Sequence, residues 1–190
     1  MERCPECRRD GVLGVAHRIV FPGDCRSDEI ALEILVCTCG FKAVAVAEQL
    51  RRASLKGGAP DRVGYRMSAA AVDLLAYLIA GCPEPSEEYC RCRAHATLDR
   101  RDLRNQWNLL HSFAPFTGFA VAASLPRAGK FAYAPVAWTR DGAGLRARID
   151  GRDWRLEPLA ADDHHELTID GALGLELDAL PPFWRVGDSG

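Results

Sequence analysis

Seven of the eight cysteines fall into two tight groups, and their spacing points to metal chemistry. The first group pairs Cys4-Pro5-Glu6-Cys7 with Cys37-Thr38-Cys39 some thirty residues on. A tight turn through Cys-x-x-Cys brings two thiolates to one point, and backbone N–H groups of the turn can donate to the sulfurs. Two such pairs supply the four soft ligands that a Zn²⁺ ion takes in a tetrahedron. The second group, Cys82-x7-Cys90-x-Cys92-x2-His95, offers three thiolates and an imidazole within fourteen residues. Gly81, Pro83 and Pro85 keep this connection irregular, so it can wrap around an ion. Four protein ligands leave no coordination position for substrate, which makes both sites structural in expectation.

The alternative for each group is a set of reduced, unligated cysteines. The chain opens on Met1-Glu2-Arg3-Cys4 with no apolar leader, and its longest apolar run, Ala69 to Ala80, is too short to span a membrane. A soluble, cytoplasmic protein is therefore expected. In that reducing setting clustered cysteines read as ligands or catalytic thiols rather than disulfides. Cys25 is left over, after the turn signal Pro22-Gly23-Asp24, as a free thiol or an alternative ligand.

Other residues offer weaker chemistry. Glu87 and Glu88 are the only local bases for a catalytic version of the second site. Asp162-Asp163-His164-His165-Glu166 reads as a solvated loop between strands. His17 sits on a strand facing solvent, and His111 caps a helix end. The arginines around the clusters (Arg3, Arg8, Arg9, Arg51, Arg52, Arg91, Arg93, Arg100, Arg101, Arg104) could form a phosphate-binding face. Acidic residues accompany them, however: residues 67–112 carry five basic and six acidic side chains. The formal charge is −2, and loaded thiolate sites would make it more negative, which disfavours indiscriminate binding to nucleic acid.

The elements that must position these ligands divide into three segments. Residues 1–66 hold the first cluster and extended stretches at 14–21, 30–36 and 41–46, with a linker at 56–60. Residues 67–112 are helical around the second cluster. Ser68 is an N-cap, Val72, Leu75, Ala76 and Ile79 recur at helical spacing, and Gly81 with Pro83 ends the helix. A second helix starts near Thr97, with Leu103, Trp107 and Leu110 as its apolar face. One ion on Cys82, Cys90, Cys92 and His95 would then staple the two helices. Residues 113–190 turn to β. Stretches at 119–123 and 131–138 precede alternating strands that meet at Asp150-Gly151 and Asp170-Gly171, the strongest short-range hairpin signals. Five or six antiparallel strands are expected there, with Pro181-Pro182-Phe183-Trp184 docking the C-terminus onto the sheet.

The opening Cys-Pro-x-Cys and the later Cys-x-Cys-Gly-Phe, with extended segments between and after, resemble the zinc-ribbon family over about the first fifty residues. The second pair is one residue shorter than the usual Cys-x-x-Cys. The resemblance implies a knuckle-and-hairpin unit, and such units serve either nucleic-acid machinery or protein interaction.

The sequence thus predicts an α+β protein: a zinc-ribbon-like N-terminal unit, a zinc-stapled helical pair and a C-terminal antiparallel sheet. It predicts two structural Zn²⁺ ions and a non-enzymatic adaptor that recognises another protein, with no membrane partner. Nucleic-acid binding and zinc-thiolate redox sensing are the alternatives.

Overall fold

The computed structural model of the protein describes residues 3–51, 60–99, 115–116, 128, 131–159 and 164–187. These fall into two compact units that divide between Ala132 and Tyr133. Among the described residues no helix is long and apolar enough to cross a membrane.

The first unit is built on a sheet of β1 (Leu13–Pro22), β2 (Ser27–Cys37), β3 (Lys42–Leu50), β4 (Asp61–Tyr65) and β5 (Pro115–Phe116), in that spatial order. Every neighbouring pair is antiparallel. The expected stretches at 14–21, 30–36 and 41–46 are the cores of β1, β2 and β3. β4 is short and follows the expected linker, and carries no signal that marks it as a strand. In β2, Ile30 to Leu35 are all buried. A strand covered on both faces loses polar alternation, which is why this stretch alternates only loosely.

The β1–β2 turn follows its chemistry. Asp24 Oδ1 accepts from the backbone N–H groups of Arg26 and Ser27, each at 2.7 Å. A Cβ on Gly23 would sit 2.2 Å from the Ser27 carbonyl oxygen, so no other residue fits.

Helix α1 (Ala69–Ala80) starts where the sequence places it. Ser68 is the N-cap, and its Oγ accepts from Ala71 N–H at 3.2 Å. Val72, Leu74, Leu75 and Ile79 are all buried, each worth about 1.5–3 kcal/mol of transfer free energy. The helix also buries Asp73 completely, against Lys42 at the start of β3 (Nζ to Oδ1 2.5 Å). A further ionic group crosses the sheet. Arg62 of β4 grips Glu33 of β2 with Nε at 2.7 Å and Nη2 at 3.4 Å, and Arg18 of β1 adds a contact at 3.4 Å. Glu33 and Arg62 are both buried. This geometry, two donors from one guanidinium, is what a buried pair needs to offset its desolvation.

Among the described residues the expected zinc-stapled pair of helices is not supported. After α1 comes an irregular loop and then α2 (Arg93–Leu98), only six residues long. The loop and α2 dock instead on the open edge of β1. Val20 N–H donates to the Pro85 carbonyl at 2.9 Å, and the Val20 carbonyl lies 3.0 Å from His95 Nε2. The physical reason is edge satisfaction. β1 ends the sheet, so Val20 presents an unpaired donor and acceptor outward, and the cysteine loop supplies both partners. Leu103, Trp107 and Leu110, the expected face of a longer second helix, lie outside the described residues, as do His111 and the expected strand at 119–123.

The second unit is a six-stranded sheet in the order β10-β9-β8-β7-β6-β11. Its strands are β6 (Val136–Asp141), β7 (Gly144–Ile149), β8 (Arg152–Pro158), β9 (His165–Ile169), β10 (Ala172–Leu177) and β11 (Trp184–Gly187). The expected hairpins at 150–151 and 170–171 are present. Asp150, Gly151, Asp170 and Gly171 all take positive φ, as a tight hairpin turn requires. A third tight turn joins β6 to β7, but its central residues are Gly142 and Ala143: Asp141 stays in the ladder opposite Gly144, and Gly142 alone takes positive φ, at 62°.

Two expectations change here. Residues 131–135 are not strand, and β6 begins only after Pro135, which has no N–H to give a ladder. The sheet is also not wholly antiparallel, because β11 pairs with β6 in parallel. Trp184 does dock the C-terminal segment, with its ring 4.8 Å from that of Trp138. Across the inner face Ala147, Trp154 and Ile169 stand opposite one another in register. On the other face Arg146 and Arg155 are directly opposed, and Asp153 accepts from both, at 2.7 and 3.1 Å. These hydrogen bonds, first that from Arg146, with the arginine charges behind them, hold the Asp153 carboxyl below its ordinary value.

Candidate metal centres

The first cluster is assembled from two turns. Cys4-Pro5-Glu6-Cys7 closes through Arg8 N–H donating to the Cys4 carbonyl (2.9 Å) and Cys4 N–H donating to the Arg9 carbonyl (3.0 Å). Arg8 takes φ 57° to complete it. Cys37 ends β2, and Thr38-Cys39-Gly40 turn the chain into β3, with Gly40 at φ 93° and its N–H on the Cys37 carbonyl. The shortened Cys-x-Cys pair is therefore the tip of the β2–β3 hairpin. Its backbone still points a donor at sulfur, Cys39 N–H to Cys37 Sγ at 3.5 Å. Across the cluster Cys4 and Cys39 sulfurs lie 3.8 Å apart, and those of Cys7 and Cys37 3.7 Å. A tetrahedron with metal–sulfur bonds near 2.3 Å has edges of about 3.8 Å. Leu13, Val12 and Phe41 pack around the cysteines and seal the inner side.

The second cluster lies along the loop between α1 and α2. Cys82 follows Gly81, the C-cap of α1. Its sulfur is 4.0 Å from Cys90 Sγ, 3.4 Å from Cys92 Sγ and 3.4 Å from His95 Nδ1. Cys92 Sγ is 3.3 Å from the same nitrogen. His95 faces the sulfurs with Nδ1 while Nε2 meets the Val20 carbonyl. That contact fixes the proton on Nε2 and leaves the Nδ1 lone pair for a metal, the usual outer support of a histidine ligand. Phe21 packs on the His95 ring at 5.3 Å.

Within each cluster the four candidate ligand atoms lie within 4.8 Å of one another, so both could hold a metal ion. All eight cysteines are thiols, not disulfides. Their acidities differ for local reasons. Burial pushes Cys37 and Cys82 up to about 12, and also raises Cys4. Arg9, through its backbone N–H and guanidinium, brings Cys7 down to about 6. Burial opposes the Cys92 thiolate, but the His95 backbone and ring bring it down to about 7. Cys7 and Cys92 thus lose their protons more readily than Cys4, Cys37 and Cys82, which would have to give theirs up to an incoming ion.

The remaining candidates stay apart from these centres. Cys25 is exposed in the β1–β2 turn and belongs to neither cluster. Glu87 Oε1 accepts from Tyr89 N–H, a loop-shaping contact. His164 pairs with Asp178 at 2.8 Å, while His165 and Glu166 lie on β9; Asp162 and Asp163 are outside the described residues. His17 is half-buried against Phe131 rather than facing solvent, and burial lowers its basicity. Near the first cluster Arg3 pairs with Asp10 and Arg66 with Glu6, while Arg51 meets Asp28 at the opposite end of the sheet. Sequence reasoning missed Val20 and Pro85, whose backbone groups anchor the second cluster; no side-chain pattern signals them.

Fold and site together define a two-sheet protein with two clusters of four candidate metal ligands, both in its first unit. No family model, curated protein or solved structure matches the chain.

Proposed function

We propose that the protein is a zinc-held scaffold that acts by binding another protein. One structural Zn²⁺ sits on Cys4, Cys7, Cys37 and Cys39, the other on Cys82, Cys90, Cys92 and His95. The observation that carries this reading is the convergence of four ligands in each cluster, with sulfur–sulfur edges of 3.7–3.8 Å in the first. Thiolate and imidazole ligands at tetrahedral spacing favour zinc, and four of them close the coordination shell. The knuckle and the β2–β3 hairpin tip support a zinc-ribbon-like first unit. A reducing compartment, the cytoplasm, is the setting this chemistry needs.

Elemental analysis of purified protein is expected to give two zinc per chain, one for each cluster; one or none would refute part or all of the metal assignment. For the adaptor role, the metal-loaded chain is expected to retain a specific protein in high salt, and the Cys82→Ser variant to lose it. Nucleic-acid binding that weakens steeply with salt and on Arg91→Ala would transfer the reading to the alternative.

Redox sensing is favoured by one observation, the exposure of Cys39 within the first cluster. It predicts that mild peroxide releases one zinc equivalent from that cluster and leaves the second loaded. Unchanged zinc content after such treatment would exclude it.

A further inference from the structure

A cavity of about 470 Å³ lies beside the first cluster, within the first unit. Its walls include Val12, Leu13, Val36, Phe41, Phe131 and Lys42. The volume falls in the range of small-molecule sites, and the walls are mostly apolar with few polar groups, as such sites are. Among the described residues of the wall Lys42 is the one charged side chain.

Lys42 is held in an unusual way for a cavity wall. Its Nζ donates to Asp73 Oδ1 at 2.5 Å and to the Ala132 carbonyl at 2.6 Å. It also sits 4.4 Å from the centroid of the Phe131 ring. Asp73 is fully buried, so the pair carries a desolvation cost that two apolar side chains would avoid. An ammonium has three donors, and two are used. That leaves the third for a guest in a cavity whose described wall is mostly apolar, with Thr38 and Cys37 as its other polar side chains.

The charge balance decides what it would meet. Asp73 offsets the Lys42 charge, so among the described residues the wall offers a donor rather than a net positive field. The neighbouring cluster, with four thiolates on a dication, would be about −2. An anion entering the cavity gains little from Lys42 and is repelled by the cluster. A cation is opposed at close range by the ammonium. We infer that the cavity binds a neutral, largely apolar small molecule carrying a carbonyl group, whose oxygen accepts from Lys42 Nζ while its rings or chains lie against Phe41 and Phe131. Only the exclusion of anions depends on the metal reading above.

Three pyrene probes of one shape test this by fluorescence titration of the metal-loaded full chain: pyrene, its neutral methyl carboxylate ester, and the free pyrene carboxylate. The ester is expected to bind saturably at one site and roughly tenfold more tightly than pyrene, the value of one hydrogen bond to a charged donor. The carboxylate is expected to bind no better than pyrene. Ala132→Trp, an exposed position on the cavity wall that keeps its backbone carbonyl, is expected to weaken both neutral probes. The paired change Lys42→Met with Asp73→Leu, which leaves no buried charge alone, is expected to remove the ester's advantage and keep pyrene binding within about twofold. Absence of saturable binding, or binding indifferent to Ala132→Trp, would overturn the site. An ester no tighter than pyrene would overturn the role of Lys42, and a tightest carboxylate would overturn the neutral ligand. Zinc content and thermal melts of each variant separate these outcomes from loss of metal.

Discussion

His95 shows how one side chain serves two structures at once. Nδ1 faces Cys82 and Cys92, while Nε2 is fixed on the Val20 carbonyl of β1. Replacing it by cysteine would keep a four-thiolate set but break that anchor. His95→Cys is therefore expected to keep its zinc and to melt at a lower temperature, whereas Cys90→Ser and Cys39→Ser each reduce the zinc content from two to one per chain by elemental analysis. Asp153 gives a prediction in acid. Arg146 and Arg155 hold its native value below the ordinary 3.8. A carboxyl lowered by folding contributes stability above the unfolded value and loses it as pH falls through the native value. Between pH 5 and 3, wild-type protein is thus expected to lose more melting temperature, read by tryptophan fluorescence, than Asp153→Asn. An equal loss would mean the arginines do not act on that carboxylate.

At the scale of elements, the first sheet is held by an ionic group that no strand pattern reveals. Arg62→Leu would leave Glu33 buried with, among the described residues, Arg18 as its remaining ionic partner. The expected cost is about 3 kcal/mol or more, and adding Glu33→Leu should recover most of it, because an apolar pair replaces a buried ionic one with little loss. Urea unfolding of the two variants checks this. Ser68→Ala should cost about 1 kcal/mol through loss of the α1 cap. The elements themselves were legible to different degrees. α1 announced its cap, stripe and stop. The Asp-Gly hairpins followed from the need for positive φ. β4 did not show, since five residues with a glycine make a weak pattern whose pairing with β3 depends on neighbours distant in sequence. β11 did not show as a parallel partner, because a short C-terminal run carries no record of which edge it will join.

On the scale of the whole molecule, both clusters hold the same edge strand. Leu13, at one end of β1, packs against Cys4 and Cys37. Val20, near the other end, carries the hydrogen bonds to Pro85 and His95. Seven residues of strand put these points roughly 23 Å apart. Lys42, just beyond the first cluster, is tied to Asp73 on α1, and α1 leads directly into Cys82. Cobalt titration followed by absorbance is therefore expected to show weaker loading of the second centre in Cys7→Ser than in the intact chain; identical loading would show that the strand does not couple them. Chelation should unfold the first unit, because ligand binding there contributes folding free energy. The second unit holds Trp138, Trp154 and Trp184 and neither cluster, so those three indoles should keep their buried emission while the helical signal of α1 falls.

The sequence by itself determined the candidate ligands, since residue type and short spacing within Cys4-x-x-Cys7, Cys37-x-Cys39 and Cys90-x-Cys92-x2-His95 are local properties of the chain. It also determined the tight hairpins and the limits of α1, where capping and glycine conformation are set by neighbours a few residues away. Only the tertiary structure decided what the second cluster fastens. The open backbone groups of Val20 exist because β1 ends the sheet, and sheet order is set by pairings between residues far apart in sequence. For the same reason the burial of Asp73 with Lys42, and the cavity beside it, became visible only when helix, hairpin and the segment around Phe131 were brought together.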